Sequence, residues 1–136
     1  IQYITIATTG NAADFGDTTQ ARTSSSGCSN TTRAVFGGGT VSPTYVNTLD
    51  YVTIATTGNA TDFGDLVLAV TSPANGQACS STRMLVSGGN APGATYNNII
   101  QMITIETTGN AVDWGDLTEK TVFSGAAMSD CHGVIS

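Results

Sequence analysis

From Thr48 to Thr56 the side chains alternate in a way that reads as an extended strand. Leu49, Tyr51, Thr53 and Ala55 fall on one face and Asp50, Val52, Ile54 and Thr56 on the other. Neither face is uniformly polar, so both are expected to be largely covered. Thr57-Gly58-Asn59-Ala60 then supplies a turn, because Gly and Asn tolerate the positive φ that a tight reversal demands. Another strand is predicted over Thr61-Asp-Phe-Gly-Asp-Leu66. Upstream lie a polar, small-residue stretch from Ala21 to Asn30 and an apolar stretch closing in glycines, Arg33-Ala-Val-Phe-Gly-Gly-Gly39. No stretch carries a sustained helical period, so the chain is predicted to be nearly all β, with four short strands in about 50 residues.

The pattern recurs. Tyr3 to Asp17, Tyr51 to Asp65 and Met102 to Asp116 are three copies of one phrase, each ending in an aromatic followed by Gly-Asp: Phe15, Phe63 and Trp114. A period near 50 residues belongs to repeat architectures, among them β-propellers, whose blades are four-stranded sheets packed face to face around an axis. The chain is therefore expected to be a single repeat domain over 1–136, divided at roughly 1–17, 18–65, 66–116 and 117–136. The first and last of these are half-blades.

An apolar strand ending in Gly-Gly, an aromatic about a dozen residues on and a second a dozen further is similar to the kelch repeat. Here those positions are Val35-Phe36-Gly37-Gly38, Tyr51 and Phe63, then Leu85-Val86, Gly88-Gly89, Met102 and Trp114, with Met102 departing from the aromatic pattern. Arg22 matches an arginine that kelch repeats often carry, while Val70 and Thr121 stand in its place in the other copies. The resemblance implies an all-β, kelch-like propeller of three four-stranded repeats, one of them split between the termini. The chain would begin with strands three and four of a blade and end with strands one and two, at Ala126 to Ser129 and His132 to Ser136. Three blades are too few for a ring. The half-blades are then expected to pair with other copies, giving a six-bladed two-chain ring or an open filament, unless the chain is a fragment of a longer array. More narrowly, the phrase I-T-I-x-T-T-G-N-A-x-D-[FW]-G-D resembles repeats of structural and appendage proteins of marine phages and other aquatic viruses, which implies a place on a virion surface or in an extracellular assembly.

Composition removes several alternatives. With 40% hydrophobic and 10% charged residues the chain is too apolar to be disordered. Its 4 Lys and Arg against 10 Asp and Glu leave a formal charge of -6, which repels nucleic acid. No apolar run is long enough to insert in a bilayer. An Ile at the first position suggests a processed chain, a fragment, or one read only where it is ordered.

Cys28, Cys79 and Cys131 recur at similar places in successive repeats. Their odd number and lack of C-x-x-C spacing favour small buried apolar side chains over a closed disulfide set or a zinc site, with an intermolecular disulfide as the other reading. Asp14 and Asp17, Asp62 and Asp65, and Asp113 and Asp116 have oxygens that suit calcium. An Asp beside a strand-end Gly more simply accepts backbone N–H bonds in a turn, so no metal or other cofactor is expected. His132 is the single histidine, flanked by Asp130 and Cys131. Neighbours on a strand point to opposite faces, so Cys131 and His132 do not form a nucleophile pair and no enzyme is expected.

The loops Gly39 to Val46 and Gly89 to Asn97 vary most. In kelch propellers such loops form a ligand-contacting face, so the resemblance implies Tyr45, Tyr96 and Arg22 as ligand-binding residues, with Asn47, Asn97 and Asn98 nearby to bond a sugar. The plainer reading is that the tyrosines cover the edge of a neighbouring core. Asn30-Thr-Thr32 and Asn59-Ala-Thr61 match the glycosylation acceptor pattern at Asn30 and Asn59. The expected function is a non-enzymatic structural component of a virion or extracellular assembly, its partner another copy of itself. The alternative is a lectin-like module binding a host-surface glycan or protein.

Overall fold

The computed structural model describes residues 1–71, 77–93 and 95–121. It is all β, with no helix among these residues and every strand pair antiparallel. A two-stranded unit opens the chain, pairing β1 (Gln2–Tyr3) with β2 (Ala13–Asp14). A middle sheet follows in the order β3 (Ser26–Ser29), β4 (Arg33–Gly37), β7 (Thr48–Thr53), β8 (Thr61–Asp65). The last sheet repeats that meander with β9 (Gln77–Cys79), β10 (Arg83–Ser87), β12 (Thr95–Thr104) and β13 (Val112–Thr121). The expected strands at 126–129 and 132–136, and with them Asp130, Cys131 and His132, lie outside the described residues.

Two local differences from the expected elements have simple causes. The strand predicted over 48–56 stops at Thr53, because the N–H of Thr56 turns back to the carbonyl of Thr53 while that of Ile54 crosses to Thr32. The segment Gly39 to Val46, expected as loop, carries its own hairpin, with β5 (Thr40–Val41) on β6 (Thr44–Tyr45). In the last sheet β11 (Asn90–Ala91) pairs with the start of β12 in the same way.

The same register shift appears in both sheets, between Leu49 and Asp50 and between Ile100 and Gln101. Such a bulge places two residues opposite one, which here re-aims Phe63 and Trp114 on the outer strands. Phe63 meets Tyr51 edge to face at 5.9 Å, and Phe15 meets Tyr3 likewise.

A single core joins the two sheets face to face. Val35, Leu49 and Phe63 from the middle sheet pack with Met84, Val86, Ile103 and Ile105 from the last. In β10 the alternation sends Met84 and Val86 into this core and leaves Leu85 on the opposite face.

The cysteine expectation needs correction, since Cys28 and Cys79 form a disulfide across the two sheets, with Cα atoms 6.0 Å apart. They are not equivalent positions. In the pairing of each first strand with its neighbour, Cys28 faces Val35 and Ser29 faces Ala34, whereas Ala78 faces Leu85 and Cys79 faces Met84. Cys79 thus stands where Ser29 does, one residue out of step with Cys28. A shift of one residue reverses the face, and the two sulfurs meet between the sheets.

Candidate assembly interface

The repeated phrase builds a clasp between successive repeat units. Its turn, Thr-Gly-Asn-Ala, docks onto the Phe-Gly-Asp of the unit before it. Between the opening unit and the middle sheet, the N–H of Gly58 donates to the carbonyl of Phe15 (2.7 Å) and that of Ala60 to the carbonyl of Asp17 (2.7 Å). The side-chain Oδ1 of Asn59 accepts from the N–H of Asp17 (2.9 Å). Between the middle and last sheets the same three bonds recur: Gly109 to Phe63 (2.8 Å), Ala111 to Asp65 (2.7 Å), and Asp65 to Asn110 Oδ1 (3.0 Å).

Glycine at the centre of each acceptor strand follows from this approach. A Cβ on Gly16 would lie 2.2 Å from the carbonyl oxygen of Gly58, and one on Gly64 would lie 2.5 Å from that of Gly109. Both also hold a φ near +140°, which disfavours any side chain. A glycine inside a strand marks the place where another backbone comes close. The preceding Asp completes the turn, as the carboxylates of Asp14 and Asp113 accept the N–H of Gly16 (3.2 Å) and Gly115 (3.1 Å). The acidic D-x-G-D motif therefore performs turn chemistry at these positions.

A second polar link ties the middle sheet to the last. The guanidinium of Arg33 lies 4.7 Å from the centre of the Tyr51 ring and donates to the carbonyl of Ile105 (3.1 Å). Beside it the carboxylate of Glu106 accepts from Asn30 and Thr32. The Thr32 and Asn30 bonds, with a smaller contribution from Arg33, hold the Glu106 carboxyl below its ordinary pKa of 4.5. A depressed folded pKa stabilises the fold above pH 4.5 and loses that stabilisation as the pH falls through the folded value. Thermal melts from pH 6 to pH 3 are expected to show a shallower acid decline for Glu106→Gln than for the parent, and equal slopes would remove Glu106 from this linkage.

The residues singled out from sequence fall in separate places. Tyr96 is exposed and Tyr45 half-buried, on the equivalent hairpins of successive sheets. Asn97 is buried and spends its amide on the carbonyls of Gly88 (3.1 Å) and Gly89 (2.8 Å). Asn47 reaches the carbonyl of Leu66 (3.4 Å) and Asn98 that of Leu117 (3.3 Å). All three asparagines thus bond their own backbone.

Arg22 is withdrawn into the interior, where its guanidinium pairs with the buried Asp50 at 2.8 Å and donates to the carbonyl of Phe36 (3.3 Å). Thr19 joins the cluster through a hydroxyl bond to the other Asp50 oxygen. In the last sheet Val70 and Gln101 occupy the corresponding places, and Gln101 bonds the backbone N–H of Leu68 (2.8 Å) instead. Asn30 and Asn59, the candidate glycosylation sites, both serve junctions between units.

Reading the sequence as turns missed the clasp. The signal was present, because a turn requires Gly or Asn but gives no reason for the same alanine after it, or for a glycine inside the next strand, in all three copies.

No protein-family profile matches the chain, and no curated protein sequence matches it either. The fold and the repeated junction define an all-β array of tandem antiparallel sheets, and function is read from that geometry.

Proposed function

We propose that this chain is a non-enzymatic structural building block, a run of kelch-like propeller blades whose half-blades are completed by other copies in an extracellular or virion-surface assembly. The single observation that carries the reading is the identity of the two internal clasps, bond for bond, although the sheets they join differ in sequence. An interface that recurs with the same chemistry inside one chain is one that can recur between chains. The Cys28–Cys79 disulfide supports an oxidising, extracellular setting. Side chains that would bond a ligand are instead tied to the backbone in Asn47, Asn97 and Asn98.

Light scattering over a range of concentrations tests the reading. The expected result is a mass that exceeds the 13.8 kDa of one chain and rises with concentration, or settles at two copies. A mass of one chain throughout would overturn it.

A further inference from the structure

The two ends of the described array carry halves of the junction that is complete twice within it. At the trailing end, Trp114-Gly115-Asp116 repeats Phe63-Gly64-Asp65, and Gly115 holds the same backbone, with φ of 146° against 140° at Gly64. Among the described residues, the space that the Gly109 carbonyl fills at Gly64 is open at Gly115, where an added Cβ would meet nothing within 4 Å. Phe63 is 3% exposed beneath the next sheet, whereas Trp114 is 54% exposed. Trp114 lines a concavity of about 410 Å³ with Ala78, Arg83 and Leu85. In the middle sheet the places of Ala78, Arg83 and Leu85 belong to Cys28, Arg33 and Val35, all of which meet the sheet that follows.

The leading end shows the complementary half. Ile6, Ile54 and Ile105 occupy one position of the phrase, and their exposure falls from 94% through 42% to 0% as the neighbouring unit among the described residues grows from none to a half-sheet to a full one. Ile4 is likewise exposed where its counterparts Val52 and Ile103 are buried. Gly10-Asn11-Ala12 repeats the docking turn, and all three residues are exposed.

The geometry points to a head-to-tail junction in which the Gly10-Asn11-Ala12 turn of a second copy of this chain docks onto the Trp114-Gly115-Asp116 cradle of the first. The bonds follow the internal clasps: the N–H of Gly10 to the Trp114 carbonyl, the N–H of Ala12 to the Asp116 carbonyl, and the N–H of Asp116 to Asn11 Oδ1. Arg83 reaches the carbonyl of Ile6 as Arg33 reaches that of Ile105. Ile4 and Ile6 close over Leu85 and Trp114, removing two apolar faces from water in one step. Because Ala78 stands in the place of Cys28, this junction forms without a disulfide. The inference rests on the assembly reading above and names its contact surface.

Complementation tests it, with Cys131→Ser throughout so that this thiol cannot link copies. One variant loses the turn, through Asn11→Ala with Ala12→Pro. The other loses the cradle through Gly115→Ala, and Leu85→Glu serves as a second block, its charge solvated in a free copy and desolvated by the junction. Each hydrogen bond lost is expected to weaken association about tenfold, so the turn variant loses about 100-fold. Each variant alone is expected to show the mass of one copy at concentrations where the parent associates. An equal mixture of turn variant and cradle variant is expected to show the mass of two copies, since one intact turn then meets one intact cradle. Parent-like association of the separate variants, or a mixture that stays at one copy with both cradle blocks, would overturn this junction while leaving assembly in place. A parent that never associates would overturn both.

Discussion

Gly64→Ala is expected to lower the thermal midpoint by about 12 °C, corresponding to about 4 kcal/mol for a chain of this size. The added methyl has nowhere to go, because the Gly109 carbonyl oxygen lies 2.5 Å from the Cβ position and belongs to backbone rather than to a flexible side chain. Alanine must hold the φ of 140°, and the clasp must open as well. The first costs about 1–3 kcal/mol in backbone strain. The second forfeits three hydrogen bonds at about 1 kcal/mol each. Gly58→Ala is the matched control, since Gly58 sits in the donor turn with open space around its Cβ position and is expected to change stability by less than about 1 kcal/mol. Circular dichroism melts of both variants decide the matter. Equal midpoints for the two would mean that the clasp contributes nothing to the fold.

Arg22→Ala is expected to cost about 3–5 kcal/mol, because it strands the Asp50 carboxylate in the interior without its cation. The chain itself contains the repair. Its last sheet fills the same two places with Val70 and Gln101, and the amide of Gln101 satisfies itself on the backbone of Leu68. The double variant Arg22→Val with Asp50→Gln is therefore expected to recover more than half of the stability that Arg22→Ala loses, as neighbouring sites in one network are not additive. Urea midpoints of the parent, single and double variants measure this. A double variant as unstable as the single would show that the Arg22 environment cannot adopt the arrangement of the last sheet.

The strands were legible because their pattern is local. Alternation through Leu49, Tyr51 and Thr53, the glycine-closed strand at Arg33 to Gly37 and the turn at Gly58-Asn59 all report backbone geometry within a few residues, and the sheets place them accordingly. What joins the sheets was harder to read, because it depends on register between segments about 50 residues apart. The disulfide illustrates this. Cys28 and Cys79 look equivalent until they are counted from the arginine that follows, which is five residues on at Arg33 but four residues on at Arg83. That single-residue difference decides which face each sulfur takes. Arg22 shows the opposite limit. Beside Ala21 and Thr23 nothing local marks it for burial, and only its partner on β7, far along the chain, draws it inside.

The disulfide also makes the two internal junctions unequal under force. The middle and last sheets are held by a clasp, the Arg33 and Glu106 links and a covalent bond, whereas among the described residues the opening unit is hydrogen-bonded to the middle sheet through its clasp. Tension drawn along the array is therefore borne unevenly. The first junction parts while the second holds, which leaves a release point between the opening unit and the middle sheet and a locked pair of sheets behind it.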